Sequence, residues 1–500
     1  MTRSTALSPA FEGGEGSAAS FGKLRTLSSS KCRVNLEQAP AFMPGSRRVD
    51  FDSLIVLYPQ LITPNTGAER RQESMERTRR DFLKSMGVTA LGAGAIMVGF
   101  EKVHGQGKQI VVGCPVPRAS AYGQNGERGM ILAAEEINAA GGVKLGGAMR
   151  PLKLEIMDTR DEEPGVPTSE VLLAIEKLIL QKKSDVIVGG PCMSECGMAA
   201  IDLYAKYKIV DLVTIGCYTP GWDKKVGSDL KKYKYSFRES GSVAWYIKEG
   251  VDLLHGIKEK FGYNKMYISI DDSAMCRGAA EIVKNLAVKD GWEIAGFDKH
   301  PIAATDYSVA MRECKNSGAQ VLFIWAYSPE TSIMLRQWAD MEVPALPIGF
   351  IGAAEDPGFW EATKGKGAYT IVTLSETGCT PSNVTPLTMK YYSAFQKRWG
   401  VPPRSTGCVS AYEGVYVLKD GIERAGSLDA EALIAAFEKT NLPAVRGTIR
   451  FDQNHQIVYG YDPKTSVLGN WVQWQDGQRV TIFPQAASMG AIKMPPWIKK

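Results

Sequence analysis

Histidine is scarce in this chain, with four in 500 residues and none in an H-E-x-x-H arrangement, so a helix-borne zinc hydrolase site is excluded. No two cysteines are spaced C-x-x-C, which removes a thioredoxin-type redox motif and the usual structural zinc knuckle. The phosphate-cradling glycine motifs are also missing. No G-x-G-x-x-G follows the first predicted strand, no P-loop occurs, and no G-x-S-x-G nucleophile elbow is found. Beyond Lys231-Lys232 and Lys499-Lys500 there is no dense basic run. The formal net charge of +5 draws partly on an arginine-rich N-terminal segment and points to no nucleic-acid partner. No metal and no cofactor are expected.

One uncharged apolar run is present near the N-terminus. Thr78-Arg79-Arg80-Asp81-Phe82-Leu83-Lys84 leads into residues 86–100, which carry no charge until Glu101. Adjacent arginines, Phe-Leu and then a weakly hydrophobic Ala/Gly-rich stretch have the form of a twin-arginine export signal. The run is short for a membrane span, and Gly87, Gly92, Gly94 and Gly99 weaken it as a packed helix. No clean Ala-x-Ala occurs, and Val103-His104-Gly105 is the best small-residue cleavage candidate. Residues 75–107 are therefore expected to be a signal peptide and the mature protein periplasmic. The preceding residues 1–74 are rich in Ser, Gly, Pro and Arg, and read as a mis-assigned start or a disordered extension.

About 395 residues remain, enough for two domains of ordinary size, and 44% hydrophobic with 23% charged residues is a globular composition. Eight of the nine cysteines, all but Cys32, lie in this part. A chain exported already folded meets oxidant as a finished structure, where proximity decides pairing. Cys192 and Cys196 are four apart, a spacing that suits a disulfide poorly if both sit on one helix.

Hydrophobic periodicity alternates between strand and helix from residue 109 onward. Strands are predicted at 109–112, 152–156, 185–188 and 209–215, with helices at 126–140 and 194–207 and another from Pro167 whose face is Val171, Leu172, Ile175, Leu178 and Ile179. The pattern restarts after Arg238-Glu239-Ser240-Gly241, with helices at 243–261, 278–289 and 303–317 and strands at 265–270, 293–297 and 321–325. Ser328-Pro329-Glu330 reads as N-cap, first-turn proline and first-turn acid of a helix running to Met341. Further strands follow at 347–351 and 369–374, then helices at 388–399, 410–424 and 429–438. The tail turns to strands at 447–451, 456–460 and 470–482, with turns at Asp452-Gln453-Asn454 and Asp476-Gly477. The expected fold is α/β, with two Rossmann-like lobes built on parallel sheets covered by helices, and ligands at the carboxyl ends of the strands.

Four strand-end loops carry most of the polar and aromatic potential: 119–123, 191–195, 216–219 and 270–273. Ser194 opens a helix, where its hydroxyl and the first N–H groups can take a carboxylate or merely cap the helix. Tyr122, Tyr218 and Tyr327 can wall a small apolar pocket, or sit as ordinary residues at the core edge. Asp271, Asp272 and Glu355 are the carboxylates best placed to meet an ammonium group, although the Asp271-Asp272 pair can equally cap the following helix. Cys192 and Cys217 are the only nucleophile or disulfide candidates on such loops, against the commoner fate of a buried inert thiol.

These residues match a family pattern. Ala133-Ala134-Glu135-Glu136-Ile137-Asn138-Ala139-Ala140-Gly141-Gly142, Asp158, Val188-Gly189-Gly190-Pro191-Cys192 and Tyr327-Ser328-Pro329-Glu330 before Met334-Leu335-Arg336-Gln337 resemble the periplasmic solute-binding proteins of ABC importers, Leu/Ile/Val type. The resemblance implies two discontinuous lobes, 108–240 with 375–447 and 241–374 with 448–500. They would be joined by three crossings near 238–242, 374–378 and 446–451. It implies a cleft site of Tyr122, Met193, Ser194, Cys217, Tyr218 and Thr219 from the first lobe and Tyr327 from the second, with Asp272 and Glu355 as the available acids. It also implies a small-molecule solute, with a membrane permease and ATPase as partners. Val243 and Ile351 stand where amino-acid binders of the family place acids. An α-amino acid therefore competes with a carboxylate or amide as the expected solute. Thr159-Arg160 stands where the family has a disulfide partner, so Cys192 is left free or paired to a nearby loop. Two alternatives to a non-enzymatic receptor are a sensory module of the same fold and a Cys192- or Cys217-dependent hydrolase.

Overall fold

The computed structural model describes residues 108–498. The twin-arginine segment, its cleavage site, the 1–74 extension and Cys32 lie outside the described residues.

Two sheets organise the chain. The first is five-stranded and wholly parallel: β1 (Ile110–Val116), β2 (Leu152–Asp158), β3 (Val186–Gly189), β4 (Asp211–Val213) and β5 (Ser236–Arg238), in the order β2-β1-β3-β4-β5. β3, β4 and β5 are buried along their whole length, as strands are when helices cover both faces of a sheet; β3 is wholly apolar, while β4 and β5 bury Asp211, Ser236 and Arg238. The second sheet has seven strands: β6 (Lys265–Asp271), β7 (Glu293–His300), β8 (Val321–Ala326), β9 (Leu346–Ile351), β10 (Ile371–Thr373), β11 (Trp471–Gln475) and β12 (Gln478–Phe483). Their order is β12-β11-β10-β9-β8-β6-β7, with β11 and β12 antiparallel at one edge. Asp476 and Gly477, both at positive φ (50° and 82°), form the two-residue turn that the Asp-Gly pair foretells.

The chain passes between the sheets three times. It leaves the first sheet after β5, returns after β10 to supply helices Pro386–Trp399, Cys408–Ala425 and Ala430–Phe437, and goes back to the second sheet at β11. Helix Cys408–Ala425 packs along helix Ala121–Ala139. Gly129 allows the approach, since a Cβ there would lie 2.4 Å from the Cys408 carbonyl oxygen. Among the described residues no helix is long and apolar enough to cross a membrane.

The structure corrects four element assignments. Helix 126–140 begins earlier, at Ala121, because Ser120 Oγ accepts the Gly123 N–H at 3.0 Å and starts it there. Tyr122 therefore stands on a first helical turn rather than in a loop. Helix 303–317 begins only at Ser308: Ala303 is held at φ 62°, and Asp306 takes the Ser308 N–H at 2.9 Å. Ser328 caps nothing, because its hydroxyl and N–H both go to Asp271, and the helix starts at Thr331. Residues 456–460 make only isolated bridges, to Arg238, Phe451 and Val467.

Candidate functional site

The carboxyl ends of the two sheets meet at Tyr122 and Glu355. Tyr122 lies in the helix after β1, Glu355 ends the short helix after β9, and the Tyr122 hydroxyl is 3.5 Å from Glu355 Oε2. Glu355 is fully buried. Ser405 Oγ donates to its Oε2 at 2.6 Å, while Oε1 has no partner among the described residues. Burial pushes this carboxyl up to about 7, against the opposing pull of Ser405, Arg404, Arg479 and Tyr122. The Tyr122 phenol is pushed up by burial too, and further by the Glu355 charge.

Asp161 organises the loop before helix Ser194–Tyr207. Its Oδ2 accepts the Met193 N–H at 2.7 Å and its Oδ1 takes the Thr159 hydroxyl. Met193 is the N-cap residue and makes no side-chain cap, leaving its side chain 42% exposed. Ser194 is the first residue of that helix and half-buried. Next along, Glu162 has Oε2 buried with no partner among the described residues. Its carboxyl is pushed up by burial and by Asp161, with Ser120 and the Cys192 thiol opposing. Glu162 was not singled out from the sequence. Its position just past the carboxyl end of β2 was the available signal.

The 216–219 loop is held tightly. Cys217 sits at φ 53°, its N–H donates to the Cys192 carbonyl at 2.7 Å, and its own carbonyl accepts from Arg238 Nη1 at 2.7 Å. Tyr218 is half-buried and meets Tyr246 edge-on at 5.9 Å. Its hydroxyl accepts the Gly216 N–H at 3.2 Å. Thr219 Oγ1 accepts the Gly221 N–H at 3.1 Å.

The two aspartates of the 270–273 loop part company. Asp271 is buried and takes the N–H groups of Tyr327 and Ser328 at 2.8 and 3.0 Å, so it shapes the loop that carries Tyr327. Asp272 is exposed and paired with Arg277 at 2.5 Å and Lys299 at 3.7 Å. The Tyr327 side chain is 38% exposed. The structure thus brings Tyr122 and Glu355 together, sets Cys217 beside Cys192, and turns Asp272 to surface lysine and arginine.

The stretches linking the sheets are tied by buried charge. Arg446 binds Glu239 and Glu413, and its Nη1 donates to the Tyr459 hydroxyl at 3.1 Å. Glu376 Oε2 accepts the Val409 N–H at 2.9 Å, and its Oε1 accepts the Gly407 N–H at 3.0 Å and the Ser410 hydroxyl at 2.6 Å, at the start of helix Cys408–Ala425. None of these residues was singled out for its chemistry in the sequence.

All eight described cysteines are free and buried. Burial raises the Cys217 thiol to about 12 and the Cys192 thiol well above its ordinary value. A thiol used as a nucleophile needs the opposite shift. Among the described residues no group of three or more His, Cys, Asp or Glu side chains could hold a metal ion.

A profile of the periplasmic binding protein family matches residues 109–462. The "Leu/Ile/Val-binding protein homolog 7" of Brucella melitensis is 22% identical over 384 residues, covering 75% of this chain and 90% of that protein. The structure is similar to the branched-chain amino acid transporter substrate-binding protein LivJ of Streptococcus pneumoniae, solved with isoleucine. The TM-score is 0.60 and the identity 19%, over 75% of this chain and 100% of the other. It is similar also to a Rhodopseudomonas palustris ABC transporter solute-binding protein solved with 4-hydroxybenzoate. There the TM-score is 0.58 and the identity 20%, over 77% and 98% of the two chains.

Proposed function

Because the chain belongs to the periplasmic binding protein family, we propose that it is the substrate-binding component of an ABC importer. It takes a small amino acid or related carboxylate or amide between its two sheets and delivers it to a membrane permease and its ATPase. The observation that carries this reading is the meeting of Tyr122 and Glu355 at the carboxyl ends of parallel strands from both sheets, where buried polar groups converge. The 108–240 and 375–447 segments form one lobe and the 241–374 and 448–500 segments the other. A solute touching both lobes favours the closed form, since its contacts are complete only there. Ser194 and the uncapped first turn of its helix receive the solute's carboxylate, with Thr219 beside them. Tyr122, Tyr218 and Tyr327 wall the solute. The twin-arginine run supports export to the periplasm, where such a carrier works.

A thermal-shift screen of the protein against amino acids, aromatic acids, amides and urea-like compounds tests this reading. A ligand bound only by the folded chain raises Tm in proportion to the logarithm of its concentration. One chemical class is expected to raise it and to be recovered unaltered. No shift with any class, or conversion of the compound, would end the proposal.

A further inference from the structure

The 216–219 loop is held along its whole length by one neighbouring segment. Each of its four carbonyl oxygens accepts a hydrogen bond from within residues 238–243, where the chain first leaves the first sheet. Gly216 O takes the Ser240 hydroxyl at 2.7 Å, and Tyr218 O takes the Val243 N–H at 2.9 Å. The Cys217 and Thr219 carbonyls both accept from Arg238 Nη1, at 2.7 and 2.8 Å. Arg238 ends β5, and Val243 opens helix Val243–Phe261, which packs on the second sheet's side of the passage. Cys217 stands at φ 53°, a conformation disfavoured for a residue with a Cβ, which persists only where the surroundings fix it. The Arg238 contact to its carbonyl does so.

The rest of the guanidinium reaches outward. Nη2 donates to Asp223 Oδ2 at 2.8 Å, the guanidinium carbon lies 4.8 Å from the centre of the Trp222 ring, and Nε donates to Gln456 Oε1. Gln456 belongs to the stretch that leads back to the second sheet, and its backbone runs parallel to Arg238. The Arg238 N–H donates to the His455 carbonyl and the Ile457 N–H to the Arg238 carbonyl, both at 2.9 Å, while Gln456 Nε2 donates to the Ser240 carbonyl at 3.1 Å. Both side chains are buried. Only a planar fork with donors on three nitrogens serves the loop, Asp223 and Gln456 at once, because an ammonium offers its donors from a single point. One side chain thus joins the loop to the first and the last passage between the sheets.

We propose that Arg238 is a positioning residue for solute binding: it sets the carbonyl geometry of the 216–219 loop from the first passage and ties that loop through Gln456 to the last, so that filling the site and closing the lobes are coupled. This rests on the solute-receptor reading above, in which Tyr218 and Thr219 meet the solute. Arg238 acts through the loop.

Hydrogen exchange of the 216–219 amides in the ligand-free full chain tests this, together with isothermal titration of isoleucine, acetamide, 4-hydroxybenzoate and any compound that raises Tm in the wider screen. The variants are Arg238→Lys, Gln456→Met and Arg446→Lys. Arg446 is an equally buried arginine whose hydrogen bonds go to Glu239, Glu413 and Tyr459 and not to the loop, so its variant controls for a general loss of stability. Arg238→Lys is expected to speed exchange of the loop and to weaken the bound probe, each by about tenfold or more, while Arg446→Lys leaves loop exchange close to that of the parent. Gln456→Met is expected to weaken the probe several-fold although Gln456 touches the guanidinium and not the loop, a change that a merely structural role would not produce. Should Arg238→Lys fail to fold, the affinity of Gln456→Met decides. Loop exchange in Arg238→Lys no faster than in Arg446→Lys, or unchanged probe affinity in Gln456→Met, overturns the proposal and leaves the receptor reading standing. No binding of any probe by the parent, with no thermal shift in the wider screen, removes both.

Discussion

Arg446 and Glu239, 207 positions apart, are both wholly enclosed and joined by an Nη2 to Oε1 contact of 2.5 Å. Glu413 closes the group from the other side, taking the Arg446 N–H at 2.8 Å and its Nε. Burial works to discharge Arg446, but the charges of Glu413 and Glu239 outweigh it and hold the guanidinium protonated. Arg446 lies where the chain makes its last passage between the sheets, and Glu239 where it makes its first.

Removing the cation alone should be costly. Arg446→Met leaves two buried carboxyls facing each other, and a loss of about 3–5 kcal/mol is expected from a buried pair broken on one side. The combined variant Arg446→Met, Glu239→Gln, Glu413→Gln should recover most of that loss, because no buried charge is left unmatched. Urea unfolding of the two variants beside the unaltered protein measures both. A single variant as stable as the parent would show that water reaches this group.

Glu376 offers a test at the second passage. Its two oxygens accept N–H groups from Gly407 and Val409 at the start of helix Cys408–Ala425, where negative charge also meets the helix dipole. Glu376→Gln turns one acceptor into a donor that faces those N–H groups, so a loss of about 2–3 kcal/mol is expected. Thermal unfolding followed by circular dichroism checks it. A shift no larger than that of a surface Glu→Gln control would contradict the assigned cap.

Gly349, in β9, is expected to tolerate no side chain. Its φ is 156°, and a Cβ would lie 1.7 Å from the Ile324 carbonyl oxygen of the paired strand β8. The Ile324 backbone, held in the paired strand, cannot yield, so Gly349→Ala should cost at least about 3 kcal/mol or abolish soluble expression. Gly256→Ala, where nothing lies within 4 Å, is the control expected to be neutral or slightly stabilising.

Local physics made most of the fold readable in the sequence. Helices Ser194–Tyr207 and Val243–Phe261 fall where their apolar spacing places them, and the Asp476-Gly477 turn where its residue types demand it. The readings that failed are those in which a distant partner claims a residue. Ser328 has the chemistry of a cap, yet Asp271, 57 positions away, takes its hydroxyl. The Arg446 group is assembled from three separate segments, and no spacing rule reaches across them. At the candidate site, Glu355 could be named as an acid at a strand end, but its link to Ser405 and Tyr122 needs the fold. Asp272 and Asp271 are neighbours of identical chemistry, and only packing decides which is buried.

Glu249 gives a pH test independent of ligand. It is buried in helix Val243–Phe261, where Trp471 Nε1 donates to Oε2 at 3.0 Å and Oε1 has no partner among the described residues. Burial pushes the carboxyl up to about 8, against the Trp471 hydrogen bond. An unfolded glutamate titrates near 4.3, so between these values the folded chain holds a proton that the unfolded chain releases. Stability contributed by this group is therefore lost as pH climbs through that window, with a slope of up to about 1.4 kcal/mol per pH unit. Glu355 and Asp298, pushed up to about 7 and about 6, add to the same slope, so the comparison must be with a variant in which Glu249 alone is changed. Glu249→Gln keeps the shape and cannot ionise. It should match the parent near pH 5 and exceed it by a few kcal/mol at pH 8 in urea unfolding. If the two stability curves run parallel from pH 5 to 8, Glu249 is ionised in the folded protein throughout and the burial argument fails.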